Sequence, residues 1–390
     1  MVHRAENGRA ETGCLIEHRL GICDEKRKKA AHFLHVPELA CSPQNDALIN
    51  TYLDLGYEVD LFTPGNLDDI GGYGSRVVCR PVEYGLRWLT RNALLPFWRR
   101  YTLFSGTSEN PLGTVGVLST IHRRPAVALV DEIRSGSYSG NERESWKRLC
   151  RFGMRKAELN IVNDGSRVGL LKDYAGLSND AKIVVYPSGY RCPPDPVSRE
   201  LQRERWGIPQ DALVVGASGI FDLSVGADWV IDALKLPGRY GVIQPVRTDP
   251  FALFLLKRLA MNSRIYVEEG RLDWRTAWAQ AGAMDIGAVI YRNPAPQFQH
   301  MGTSSNRLCM FLAMGVPVIA SRQDSFQFLE EFDCGILIDD GRSFSSAVDR
   351  IRDRLGEMRA NAVRCWKEYV AASVRYIELR EAIAGVTAKQ

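Results

Sequence analysis

From Ala31 to Ile383 the chain alternates short apolar runs with amphipathic segments, and the alternation breaks off once and restarts. This pattern limits the fold more than any other feature. Short apolar runs suit strands buried on both faces, and each parallel neighbour needs a helical crossover. The alternation therefore predicts βαβ units, an α/β class with doubly wound parallel sheets. The break runs from Pro187-Ser188-Gly189 to Pro193-Pro194-Asp195-Pro196, dense enough in Pro and Gly to mark a linker. A length of 390 residues suits two domains of ordinary size. In the first half, strands are expected over 32–36, 57–62, 76–79, 115–118, 126–130, 160–162 and 183–186, with helices over 42–55, 84–101, 142–157 and 166–174. Ser42-Pro43 suits the start of the first helix, and Gly56 its end. In the second half, strands are expected over 213–217, 240–244, 265–267, 286–291, 318–320 and 336–338. Its helices are expected over 227–235, 250–261, 274–280, 305–314 and 344–355.

This reading divides the chain into a loosely ordered leader at 1–30, domains at 31–190 and 191–364, and a C-terminal helix at 365–390. That last helix either stays on the second domain or crosses back to the first. Two such domains leave a cleft between the carboxyl ends of their strands, where open α/β sheets bind ligands.

Composition removes several classes. A chain 45% hydrophobic and 25% charged is globular. Its net charge of +4 is not that of a nucleic-acid binder. Nine scattered cysteines, an odd number, point to free thiols in a reducing, cytoplasmic setting. No run of ~18 apolar residues predicts a spanning helix, and the polar start predicts no signal peptide. Cys14, His18 and Cys23 have a spacing a metal could use, but no second ligand pair follows, so no metal or cofactor is called for.

The most informative stretch is His300-Met301-Gly302-Thr303-Ser304-Ser305-Asn306-Arg307, leading to Gly315-Val316-Pro317. Hydroxyls of Ser304 and Ser305 are placed to cap a helix whose amino end favours an anion. Arg307 supplies a fixed charge suited to a diphosphate. Simple capping and a solvated arginine are the alternative. Asp131 and Glu132 follow an apolar strand and should sit at its carboxyl end, where a carboxylate can act as general base or merely cap. His300 is the best-placed imidazole, for a phosphate or a sugar hydroxyl. Arg87-Trp88 and Phe97-Trp98-Arg99-Arg100-Tyr101 mix cations with aromatics, which suits a peripheral membrane contact or a core edged by arginines.

The run from Asn306-Arg307-Leu308 to Gly315-Val316-Pro317-Val318-Ile319-Ala320 resembles the nucleotide-sugar motif of GT-B glycosyltransferases, most closely the large group-1 family. Glu330-Glu331 to Ile338, Gly56-Tyr57-Glu58-Val59, and the hinge-like Pro187-Ser188-Gly189 are similar to further parts of that family. The resemblance implies a GT-B fold, with an acceptor-side first domain and a second domain that holds a nucleoside-diphosphate sugar. It implies transfer of the sugar to a hydroxyl of a glycan, a lipid-linked sugar or a small metabolite. Asn306, Arg307, Ser304, Ser305, His300 and Gly219 are the candidate donor-binding residues, with Asp131 and Glu132 the candidate catalytic ones. The chain departs from the family where two glutamates usually stand: Gly302 and Met310 take their places. The family's loop cations are replaced by Gly219-Ile220 and Val225-Gly226, and its Gly-Gly loop by Cys41-Ser42-Pro43-Gln44. A non-catalytic relative and a sugar epimerase on the same fold are the alternatives.

Overall fold

The computed structural model describes residues 28–35, 42–65, 71–133, 144–245, 257–258, 264–268 and 272–388. The Cys14, His18 and Cys23 cluster, Cys41, and all but 257–258 of the expected 250–261 helix lie outside them. Thirteen strands form two parallel sheets among these residues. The first sheet contains β1 Lys28–Phe33, β2 Tyr57–Thr63, β3 Val77–Pro81, β4 Leu103–Thr107, β5 Ala126–Val130, β6 Leu159–Val162 and β7 Ile183–Val185. The second contains β8 Leu213–Gly219, β9 Arg239–Pro245, β10 Ile265–Val267, β11 Ile286–Val289, β12 Val318–Ser321 and β13 Gly335–Ile338. Their orders are β3-β2-β1-β4-β5-β6-β7 and β10-β9-β8-β11-β12-β13. In each sheet the chain winds outward from its first strand in both directions. The reversal between β1 and β4, and that between β8 and β11, are the topological switch points.

Several expectations need correction. β1 starts at Lys28, inside the stretch read as leader, because Lys28 and Lys29 pair in register with Tyr57 and Glu58. The expected strand at 115–118 lies inside the helix Glu109–His122. Its glycines and β-branched residues mimic a strand, but they serve helix packing: Gly113 and Gly116 lie against Leu149 and Gly153 of the helix Glu144–Lys156. The strand position belongs to β4, missed because Ser105-Gly106-Thr107 interrupts its apolar run. The expected helix at 84–101 splits into Leu86–Asn92 and a 3-10 turn Pro96–Arg100, since Pro96 has no amide hydrogen to continue the first. The helix Pro43–Asp54 ends before Gly56 at φ +83°, but the Ser42 hydroxyl oxygen accepts from the Asn45 side-chain amide rather than from a backbone N–H.

The two sheets are joined at 186–190. An added Cβ at Gly189 would lie 2.7 Å from the Trp366 ring, so the hinge passes against that indole. Tyr190, Trp278 and Trp366 stack edge to face beneath it, with centroids 5.0 and 6.1 Å apart. After the π-helical turn Trp366–Val370 the chain crosses to the first sheet. There the helix Ala372–Thr387 bonds Tyr376 to Asp54 (2.7 Å) and receives Lys182 on the Ala382 carbonyl (3.2 Å). No helix among the described residues is long and apolar enough to cross a membrane.

Candidate functional site

In the second sheet, β8 ends at Gly219 with φ +89°. The helix Asn306–Ala313 begins beside it, capped by Ser305, whose Oγ accepts the Leu308 N–H at 3.2 Å. Ser305 Oγ also lies 2.8 Å from the Tyr291 hydroxyl, at the end of β11. Arg307, in the first turn, lays its guanidinium over the Tyr291 ring at 5.3 Å and donates to the Ile220 carbonyl at 3.3 Å. A Cβ on Gly219 would stand 3.1 Å from Arg307 Nη2. The positive φ favours glycine there, and any larger residue would also have to push the Arg307 guanidinium slightly aside. Arg307 ion-pairs with no carboxylate among the described residues. A helix amino end and a guanidinium with no ion-pair partner among the described residues therefore converge at the switch point between β8 and β11, an arrangement whose charge favours an anion.

Ser304 does something else. Its hydroxyl bonds the Met301 carbonyl and its own carbonyl accepts from Ser188 Oγ at 2.9 Å, so the hydroxyl does not cap the helix. Asn306 opens the helix at its first position. His300 presents its carbonyl to Arg167 Nε at 2.8 Å, while its imidazole makes no hydrogen bond within the described residues.

In the first sheet, Asp131 follows β5 directly. Its carboxylate accepts the Ser108 hydroxyl and, at 3.0 Å, the Glu132 N–H. Burial, then the neighbouring Glu132 charge, raises its pKa to about 6. Ser108 follows β4 at φ +63°, a conformation that costs a non-glycine residue ~1–3 kcal/mol. That strain aims its hydroxyl at Asp131.

Sequence reasoning missed the residues that bring the two halves together. Arg167, 3% exposed, donates to the carbonyls of Asp131 (2.8 Å), His300 (2.8 Å) and Gln297 (3.0 Å). Asp164 accepts from Thr303 N (2.7 Å) and Thr303 Oγ1 (2.9 Å). Ser188 N donates to the Thr303 carbonyl at 2.8 Å, and Ile133 N to Gln297 Oε1 at 2.9 Å. Arg167 thereby sets Asp131 and His300 on two sides of one guanidinium. Gly302, at φ +40°, explains one departure from the family pattern: a Cβ there would fall 2.0 Å from Asp164 Oδ2. The position usual for a glutamate is pressed against a carboxylate of the other half. Met310 is 2% exposed and packs in the second core. The only sequence signal for this latch was Asp164-Gly165-Ser166-Arg167 opening a helix, which reads as capping.

No family model matches the chain, and no curated protein matches it in sequence. Solved structures do match its fold. HepE from Anabaena in complex with UDP superimposes with a TM-score of 0.70 at 16% identity, covering 92% of this chain and all of that one. The chain has the GT-B fold. Sucrose-phosphate synthase from Thermosynechococcus elongatus, at TM-score 0.68 and 15% identity, covers 93% of this chain and 100% of its own. A putative UDP-N-acetylglucosamine 2-epimerase from Listeria monocytogenes is similar at TM-score 0.62 and 13% identity, over 94% and 98%. In this GT-B frame, Gly219, Tyr291, Ser305 and Arg307 lie in the half built on the second sheet, and Ser108 and Asp131 in the half built on the first.

Proposed function

We propose that this chain is a glycosyltransferase that moves a sugar from a nucleoside diphosphate to an acceptor hydroxyl. The observation that carries the reading is Arg307, held over Tyr291 and against Gly219 at the second switch point with no carboxylate among the described residues to neutralise it. It would hold the diphosphate and stabilise the charge that grows there as the sugar leaves. Asp131 is the group suited to the acceptor side. As a carboxylate it takes the proton of the acceptor hydroxyl while that oxygen bonds the anomeric carbon and the bond to the diphosphate breaks. Ser108 orients it, and a pKa near 6 leaves it ionised yet basic at neutral pH. Glu132, next in the chain, raises the proton affinity of Asp131. HepE structures with UDP-glucose and with UDP and glucose make uridine nucleotides and hexoses the first compounds to try. No metal or further cofactor enters the scheme. A cytoplasmic setting, read from the scattered cysteines, goes with it.

A non-catalytic relative is the second reading, favoured by Gly302 and Met310 at the usual glutamate positions; the epimerase likeness is a third. Thermal-shift screening against UDP-, GDP-, ADP- and TDP-sugars, followed by assay of nucleoside diphosphate release, separates them. One nucleotide class should stabilise the fold and be turned over. Stabilisation with no release in the presence of a broad panel of acceptors would favour the binding protein. Interconversion of the free nucleotide-sugar would favour the epimerase.

A further inference from the structure

We propose that the first domain carries a docking face for an anionic membrane surface, made of an apolar ridge at 86–97 and a basic pocket beside it. The proposal does not rest on the donor site. Leu86, Leu94, Leu95 and Phe97 are 64%, 76%, 43% and 37% exposed, all within a dozen residues. The ridge cannot turn inward, because Leu89, Ala93 and Trp98 already fill the space beneath it against the sheet. Its tip is braced as well. Arg100 covers the Phe97 ring at 3.8 Å, and Arg100 and Arg80 both grip the buried Asp60, at 2.8 and 2.5 Å. Solvent exposure of these side chains is therefore built in, as expected of a surface meant to be covered.

Charge indicates what covers it. Between 81 and 101 stand four arginines and one carboxylate, Glu83. Arg87, Arg91 and Arg99 ion-pair with no carboxylate among the described residues. The ridge adjoins more cations: His122 Nε2 lies 2.8 Å from the Ala93 carbonyl, and the next residues, Arg123 and Arg124, enter a cavity of about 550 Å³ shared with Lys156 and Lys182. Arg123 and Lys156 sit at helix carboxyl ends, where cations offset the carbonyl charge. Lys182 holds the Ala382 carbonyl towards the end of the C-terminal helix, whereas Arg124 precedes β5 and has no such role. The one carboxylate in the lining, Glu158, already accepts the Ala126 N–H at 2.6 Å. Leucines and a phenylalanine beside arginines, with a basic pocket at their side, match the boundary of a bilayer. The apolar side chains enter the acyl edge, the arginines meet phosphates, and the pocket takes a headgroup phosphate.

Co-sedimentation of the full chain with vesicles tests this. The protein should bind vesicles of phosphatidylcholine with about one-third phosphatidylglycerol, bind pure phosphatidylcholine far less, and release as salt rises. Replacing the exposed pair, Leu94→Ser with Leu95→Ser, should weaken vesicle binding roughly ten-fold or more, and so should Arg124→Glu with Lys156→Glu. Both variants should keep nucleotide binding, and the ridge variant should also keep the wild-type melting temperature. No binding to the anionic vesicles overturns the proposal. So does binding that the ridge variant leaves unchanged, which would mean only diffuse attraction. Calorimetric binding of inorganic pyrophosphate to the pocket without vesicle binding would overturn it too, and mark a site for a soluble phosphate.

Discussion

Asp131 and His32 show how burial sets chemistry one residue at a time. Asp131 has a folded pKa near 6, above the ordinary carboxylate value, so the native state holds its proton where the unfolded chain has released it. Stability from this group is therefore greatest at low pH and is lost as pH rises through about 6. Asp131→Asn removes that cost and should raise the melting temperature at pH 8 more than at pH 4. The same substitution should lower kcat by roughly 10²–10⁴-fold and abolish the limb of the pH–rate profile near 6. Unchanged turnover per folded molecule would leave Asp131 as a structural group. His32 has the opposite sign. It is fully buried between Ser105 Oγ (2.8 Å) and Asn45 Oδ1 (3.0 Å), and burial lowers its pKa to about 4. The unfolded chain binds a proton below its ordinary value of 6.5 and the native state does not, so this group erodes stability from pH 6.5 down to 4. The loss should reach roughly 3 kcal/mol. Urea midpoints for His32→Gln should fall less steeply over that window than those of the wild type.

Among the elements, the helix pair 109–122 and 144–156 gives the sharpest test of packing. A Cβ on Gly153 would lie 1.9 Å from the Leu112 carbonyl oxygen. Alanine ordinarily favours a helix by ~1 kcal/mol over glycine. Here the clash should win, and Gly153→Ala should lower stability by ~1–3 kcal/mol in a urea titration. The same pair shows where sequence and structure part. Most strands were legible because a parallel sheet buries both faces and leaves unbroken apolar runs, as in Ala126–Val130 and Val318–Ser321. The run at 115–118 misled because Gly113 and Gly116 serve a neighbouring helix, against Leu149 and Gly153, that is distant in the chain. β4 was missed because its polar Ser105 reaches His32 in the next strand. Ser305, Arg307 and Asp131 were legible because caps and strand ends are local features. Arg167, Asp164 and Thr303 were not, because their partners lie more than 130 residues apart.

Across the whole molecule, those long-range contacts hold the two halves together around the cleft. Arg167→Met should leave two buried carbonyls of the second half, Gln297 and His300, without their donor. That weakens closure by ~2–5 kcal/mol and should enlarge the radius of gyration measured by X-ray scattering. An unchanged scattering curve would show that the latch is redundant. The proposed function turns on one contact: a nucleoside diphosphate seated where β8 meets β11 and held by Arg307. Titration calorimetry with UDP, GDP and ADP on the wild type and on Arg307→Ala tests this most directly. At least one nucleotide should bind the wild type, and the substitution should weaken it by ~1.5–3 kcal/mol, roughly 10- to 150-fold in Kd. Equal affinity for both proteins, or no binding of any of the three to the wild type, would contradict it.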